Sequence, residues 1–307
     1  MEVFTISNLI LVLKGKKPMS DAAFGLILAS FAVTVTLVVF ILPMLYAVVI
    51  SFSSYNHMLG RIERFVGFEN YVRILTDPAF WSAWRVTLTY ALISVPTQLI
   101  IGVSVALLLH QKLFARRVWR TAILAPMMVT PVVAALMWRL IYNPGNSILN
   151  HVLSLLGIAP WTSIAGPSAI VAVAIADIWL GSPFIVLICL ATLQGIPEDL
   201  YEAASLDGAK AHQKFISITL PYLSNVLLIG ALFRTIDATR VFDTLFVLTG
   251  GAFGTTNTMM FFYTRLFQTF NIDRATAFAV IMIIMTAIIT LPITTKLLRD
   301  IGKVRDH

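Results

Sequence analysis

Long apolar runs separated by short polar stretches dominate the pattern along the chain. Six runs stand out, at Ala22–Ile50, Val86–Leu109, Thr121–Ile141, Ser168–Leu193, Leu223–Leu248 and Thr276–Leu297. Their apolar residues are not confined to one stripe, which marks helices surrounded on all sides by lipid or protein. Each run supplies the roughly 20 residues a helix needs to cross a hydrocarbon layer of about 30 Å. The pattern therefore predicts an all-α integral membrane protein with six transmembrane helices. A shorter run, Val3–Leu13, cannot span, and its lysines (Lys14, Lys16, Lys17) follow it instead of preceding it. That order argues against a secretory signal and predicts a helix lying in the membrane plane.

Composition agrees with this pattern. Of 307 residues, 58% are hydrophobic and 12% charged, whereas soluble domains carry about 25% charged residues. A water-facing surface cannot be built from so few charges, which excludes soluble enzymes, disordered chains and disulfide scaffolds. The single Cys189 has no intrachain disulfide partner. The net charge of +7 reads as Lys and Arg concentrated on the cytoplasmic side, not as a nucleic-acid surface. Loop 110–120 carries Lys112, Arg116, Arg117 and Arg120, and the chain end carries Lys296, Arg299, Lys303 and Arg305, whereas loop 142–167 has neither Lys nor Arg. Both termini are thus expected in the cytoplasm, with loop 51–85 outside and segment 194–222 inside. The organisation expected is a segment 1–21, a transmembrane domain 22–298 and a tail 299–307.

Segment 194–222 has helix punctuation. Pro197, Glu198 and Asp199 suit a helix start, Gly208 suits its end, and a second helix is expected over Ala209–Leu220 before Pro221. On physical grounds this is either a capped connecting loop or a docking element. Glu202-Ala203-Ala204, three residues, Gly208, nine residues and Ile218-Thr219-Leu220-Pro221 resemble the EAA loop of permease subunits of bacterial ABC importers, and EAA-x3-G-x9-I-x-LP is matched at every fixed position. Further residues look like those of the carbohydrate-uptake permeases: Arg234-Thr235-Ile236-Asp237, Arg240, Phe242-Asp243, Leu248-Thr249-Gly250-Gly251, Gly67-Phe68-Glu69-Asn70-Tyr71 and Asp77-Pro78. Two departures, Ala252-Phe253 and Asp273-Arg274, lie at the expected external mouth.

The resemblance runs from about residue 22 to the end of the chain and implies the type I ABC importer (MetI-like) permease fold. It implies an ATPase-coupling set of Glu202, Ala203, Ala204, Gly208, Leu220 and Pro221, with Glu202 paired to a basic residue of an ATP-binding subunit and Gly208 turning the chain. The partners it implies are a second permease subunit, an ATPase dimer holding ATP and Mg, an extracytoplasmic solute-binding protein and the lipid bilayer. Location in the bacterial cytoplasmic membrane follows. No cofactor or metal bound by this chain and no nucleic acid are expected, and ATP hydrolysis falls to the partner. The chain lacks a G-x-x-x-x-G-K-[ST] phosphate loop and any H-E-x-x-H pair, so nothing marks it as an enzyme.

Four charges, Arg234, Asp237, Arg240 and Asp243, fall inside the fifth run. Facing lipid, each would cost about 2.5–3.5 kcal/mol, so they must face protein or water. At about 1.5 Å per residue Arg234 lies about 16 Å deep from the cytoplasmic side, and Asp243 near 30 Å. The same count puts Asp177 about 14 Å deep from the outside, at a depth comparable with Arg234 and within reach of pairing. Asp177, Arg234, Asp237 and Arg240 are the candidate substrate-path residues, either as a structural ion-pair ladder or as a polar lining for a hydroxyl-rich solute. Pro96, Pro126, Pro131 and Pro183 are candidate kinks. Trp138, Trp179 and Phe184 read as anchors or core, with sugar stacking the alternative. A self-sufficient secondary transporter is the opposing class, but it has no use for the docking hairpin. A glycerol 3-phosphate importer is the alternative within the class.

Overall fold

The computed structural model describes residues 21–111, 114–143, 148–158, 164, 166 and 168–305; the expected in-plane helix, Lys14, Lys16, Lys17 and Lys112 lie outside them. The first span is α1 (Asp21–Thr36), a π turn (Leu37–Ile41) and α2 (Leu42–Ser51). An antiparallel hairpin follows, β1 (Ser53–Asn56) and β2 (Arg61–Phe65), pairing Ser53 with Phe65 and bulged between Ser54 and Tyr55. Then come α3 (Glu69–Leu75), α4 (Pro78–His110), α5 (Arg116–Leu124), α6 (Pro131–Tyr142), α7 (Ile148–Leu155) and α8 (Ala169–Gln194). The second half comprises α9 (Glu198–Leu206), α10 (Ala211–Lys214), α11 (Leu220–Arg240), α12 (Asp243–Thr249), α13 (Thr258–Tyr263) and α14 (Ile272–Arg305). Among the described residues, five helical stretches are long and apolar enough to cross a membrane, or six where the bent pair α5–α6 is counted as one span.

The structure corrects four of the expected spans. The second helix starts at Pro78 instead of Val86, because Asp77 Oδ1 accepts the Ala79 N–H at 2.9 Å and Pro78 occupies the first turn. Its early turns bury Phe80 and Trp84 in a cluster with Phe278 of α14. The third run is not one helix: α5 and α6 meet at 102°. Pro126 sits in a 3-10 turn (Ala125–Met128), and the two residues before Pro131 are extended, as the proline ring demands of its predecessor. The fifth run stops as a helix at Arg240, breaks at Val241–Phe242 and resumes as α12. The last helix extends beyond the predicted ends, to Ile272 and Arg305.

Two prolines are absorbed by one device. π turns immediately precede Leu42-Pro43 and Leu220-Pro221, with Leu42 N–H bonded to Leu37 O and Leu220 N–H to Phe215 O. The wider turn relieves the clash of each ring with the carbonyl four residues back. For that reason the second hairpin helix does not end before Pro221, as the sequence suggested, but runs from Ala211 through the π turn into α11.

The core sits between α4, α8 and α11. Ala172, Ala174, Ala176, Gly181 and Ser182 of α8 are buried, and small residues let α4 approach closely. One cluster packs Tyr90, Tyr142, Val173 and Leu245, and another packs Leu109, Ile185, Leu193 and Leu223. The external motif is stitched to the first span: Asn70 Nδ2 donates to the carbonyls of Ser51 and Ser53 at 3.1 and 3.0 Å, and Tyr71 Oη meets Ser51 Oγ at 2.6 Å.

Candidate functional site

Asp177 of α8 and Arg234 of α11 meet inside the bundle, as their depths predicted. Arg234 Nη2 donates to both Asp177 carboxylate oxygens at 3.3 Å, and its Nε donates to Gln98 Oε1 at 2.5 Å. Gln98 Nε2 donates to Asp177 Oδ2 at 2.7 Å and the Ser94 hydroxyl to the same oxygen at 2.5 Å. Asp177 thus collects donors from α4 and α11, which offsets the desolvation of a carboxylate and a guanidinium held largely out of water. Ser94 and Gln98 are members of this cluster that the sequence reading missed. Their signal was a polar pair at i, i+4 within an otherwise apolar helix face.

From Arg234 the charges step outward. Its Nη1 donates to Asp237 Oδ2 at 3.2 Å, and Arg240 lies 3.7 Å from Asp237 Oδ1. Exposure rises along this path: the Arg234 side chain is 14% exposed, Asp237 48% and Arg240 67%. The ladder ends there, since Asp243 makes no ion pair among the described residues. The break at Val241–Phe242 explains it. Arg240 closes α11, where a cation meets the negative dipole end, and Asp243 opens α12, where an anion meets the positive end. Asn257 secures the break, its Nδ2 donating to Val241 O at 2.5 Å while its Oδ1 accepts the Met260 N–H at 3.0 Å. Nothing in the sequence reading singled out Asn257.

All four candidate substrate-path residues, with Asp243 and Phe242, line one cleft of about 570 Å³, within the range of about 300–1,000 Å³ typical of small-molecule sites. The helix break brings Asp243 to it; the continuous helix assumed earlier would have carried that side chain round the far face. Trp138 and Trp179 pack on each other edge to face at 6.1 Å, and Phe184 packs on Phe233 at 6.3 Å. None of these three lines the cleft. Gly181 does, and a β-carbon there would lie 2.7 Å from Arg234 Cζ and 2.9 Å from Gln98 Nε2. Gly181→Ala is therefore expected to cost about 1–3 kcal/mol through overpacking, read as a lowered thermal midpoint of the purified protein.

The second candidate site is the hairpin of α9 and α10. Gly208 has φ +75°, its N–H bonds to Ser205 O at 3.1 Å, and the Ala209 N–H bonds to Ala204 O at 2.9 Å. This paired closure needs a left-handed residue and satisfies the last carbonyls of α9. Lys214 Nζ reaches back to Ser205 Oγ at 2.5 Å, and Tyr201 Oη meets Thr219 Oγ1 at 2.9 Å, so the two arms are tied. Glu202 and Ala203 are exposed, Leu206 is 90% exposed, and Glu202 makes no ion pair among the described residues. Leu220 and Pro221 belong instead to the first turn of α11, away from the hairpin's tip.

The sequence matches the family described as binding-protein-dependent transport system inner membrane component over residues 80–299. The chain belongs to that family. The permease is 41% identical over 243 residues to the trehalose/maltose transport system permease protein MalF of Thermococcus litoralis, covering 79% of this chain and 82% of that protein. It is 34% identical over 271 residues to the trehalose transport system permease protein SugA of Mycobacterium tuberculosis, covering 88% and 87%. A solved bacterial ABC transporter involved in import of the acidic polysaccharide alginate has a chain that matches with a TM-score of 0.78 at 21% identity, covering 89% of this chain and 95% of that one. This last likeness shows the fold. The family is one of transport permeases, not enzymes, and the chain is a multi-pass membrane protein.

Proposed function

We propose that the permease forms half of the translocation pathway of an ATP-driven, binding-protein-dependent importer, and that its solute is a neutral carbohydrate. The observation that carries the solute class is the cleft at the α11–α12 break. It presents three carboxylates (Asp177, Asp237, Asp243) and two guanidinium groups (Arg234, Arg240) around one volume, so it holds no excess of positive charge to draw an anion. Half-exposed carboxylates and guanidinium groups offer acceptors and donors matched to sugar hydroxyls. The relatives named for trehalose and maltose transport support the same class.

The remaining parts of the machine follow the hairpin. Its exposed tip, with Glu202 unpaired among the described residues, is the docking element for one copy of an ATPase dimer, which holds ATP and Mg. Gly208 sets its shape, and Ala203 and Ala204 leave room for close approach. A second permease subunit completes the pore. A solute-binding protein docks on the opposite face, at loop 51–85 and around Gly250–Asn257. The Lys and Arg distribution supports a cytoplasmic side for the hairpin and both termini.

Asp237→Asn tests the lining role. Arg234 keeps Asp177 and Gln98 in this variant, so assembly is expected to be unchanged. A charged hydrogen bond to solute is worth about 1.5–3 kcal/mol, so apparent solute affinity should fall about tenfold or more. Solute-stimulated ATPase activity per assembled complex, measured over a sugar panel, reads this out. Reduced assembly with unchanged solute dependence would make Asp237 a structural member of the ladder.

A further inference from the structure

Helix α5 has no role in the transport reading, yet it is the most polar amphipathic element of the bundle. Arg116, Arg117 and Arg120 fall within an arc of about 100°, and Phe114 (95% exposed) and Trp119 flank them. Arginine beside aromatic residues is the signature of a membrane interface. Among the described residues none of the three arginines has a carboxylate partner. Arg116 Nε donates to Leu109 O at 2.8 Å, and Arg120 Nε is buried without a hydrogen-bond partner among the described residues. The acidic group at this corner is Glu198, which acts on His110 at the end of α4 but is not within ion-pair distance of the arginines.

At the C-terminal end of α5, the elbow with α6 borders a groove of about 510 Å³ against α4 and α8. Ile101, Val105, Ala122, Ile123, Trp138 and Trp179 line it. Its one hydroxyl, Ser182, already donates to Ile178 O at 2.6 Å. Val105 and Ile101 lie about 8 and 14 Å along α4 from His110, which matches the depth of about 15 Å in one leaflet of hydrocarbon. Unpaired cations at interface level above an apolar groove at acyl-chain depth describe one kind of occupant.

We infer that α5 and this groove form a binding site for an anionic phospholipid. The phosphate headgroup is held by Arg116, Arg117 and Arg120, and one acyl chain lies in the groove. Basic pockets between membrane helices recognise anionic headgroups in this way. The site is separate from the cleft, so the inference does not rest on the identity of the solute.

The test uses the intact transporter complex, stripped of lipid in detergent and offered equal amounts of phosphatidylglycerol and phosphatidylcholine with matched acyl chains. Native mass spectrometry counts what is retained. Phosphatidylglycerol should be preferred, and each arginine should contribute about fivefold. Arg117→Gln with Arg120→Gln should therefore erase about 25-fold of the preference while assembly is unchanged. Ile123→Trp, which fills the groove, should lower retention of both lipids. Equal retention of the two lipids by the wild-type complex would overturn the inference. So would an unchanged preference in the double variant, or a photo-crosslinker at position 123 that captures a partner subunit in place of lipid. The wild-type competition needs no variant and decides the matter should the double substitution fail to assemble.

Discussion

Asp177→Leu is expected to destabilise the permease by about 3–5 kcal/mol, because it strands a largely buried guanidinium. Arg234 would retain Gln98 and the half-exposed Asp237, neither of which replaces the doubly bonded carboxylate. The Ser94 hydroxyl would lose its carboxylate acceptor as well, at about 1–3 kcal/mol for a donor left unsatisfied, whereas Gln98 Nε2 would keep Ser94 Oγ and the residue 177 carbonyl. The yield of monodisperse protein and its thermal midpoint should both fall. Adding Arg234→Met should recover much of the loss, since replacing both partners of a buried ion pair by apolar groups is often neutral. Recovery would remain partial while Gln98 lacks its partner. Equal damage in the single and double variants would mean that the cluster is not an electrostatic unit.

The membrane class and five of the spans were legible because they rest on apolar run length, which composition alone nearly determines. Pairing of Asp177 with Arg234 was legible too, since depth along two neighbouring helices is a matter of counting residues. The breaks were not. Val129–Thr130 and Val241–Phe242 hold no charge, Gly or Pro, so hydropathy runs straight through them. The first is imposed by Pro131 on its predecessors, and the second is held by Asn257, which is distant in sequence and bonds Val241 O. A charge pattern did carry the second break in retrospect. Arg240 and Asp243 have the signs that suit a helix end and a helix start.

The hairpin was legible as a turn because only a left-handed Gly208 closes it, and the EAA spacing gave its tip a role by resemblance. Continuity of α10 with α11 was hidden, because Pro221 reads as a stop unless a π turn precedes it. Ser94 and Gln98 escaped because short polar side chains inside an apolar run look incidental until a charge is placed opposite them.

Glu202→Lys is expected to uncouple the permease while leaving it folded, because Glu202 is exposed and makes no ion pair among the described residues. Docked, its carboxylate accepts from a basic group of the ATPase, and reversing the charge both removes that attraction and adds repulsion. Losing one partner of such a desolvated pair costs about 2–5 kcal/mol, or about 30-fold or more in the docked population. The helix itself should be unaffected, since Lys is nearly as good a helix former as Glu. The decisive measurement is uptake of labelled sugar into liposomes holding this chain with its partner permease, ATPase and binding protein. The account predicts uptake that requires enclosed ATP and falls about 30-fold or more in Glu202→Lys at equal permease content. Accumulation by this chain alone under an ion gradient, or wild-type uptake in the variant, would contradict it.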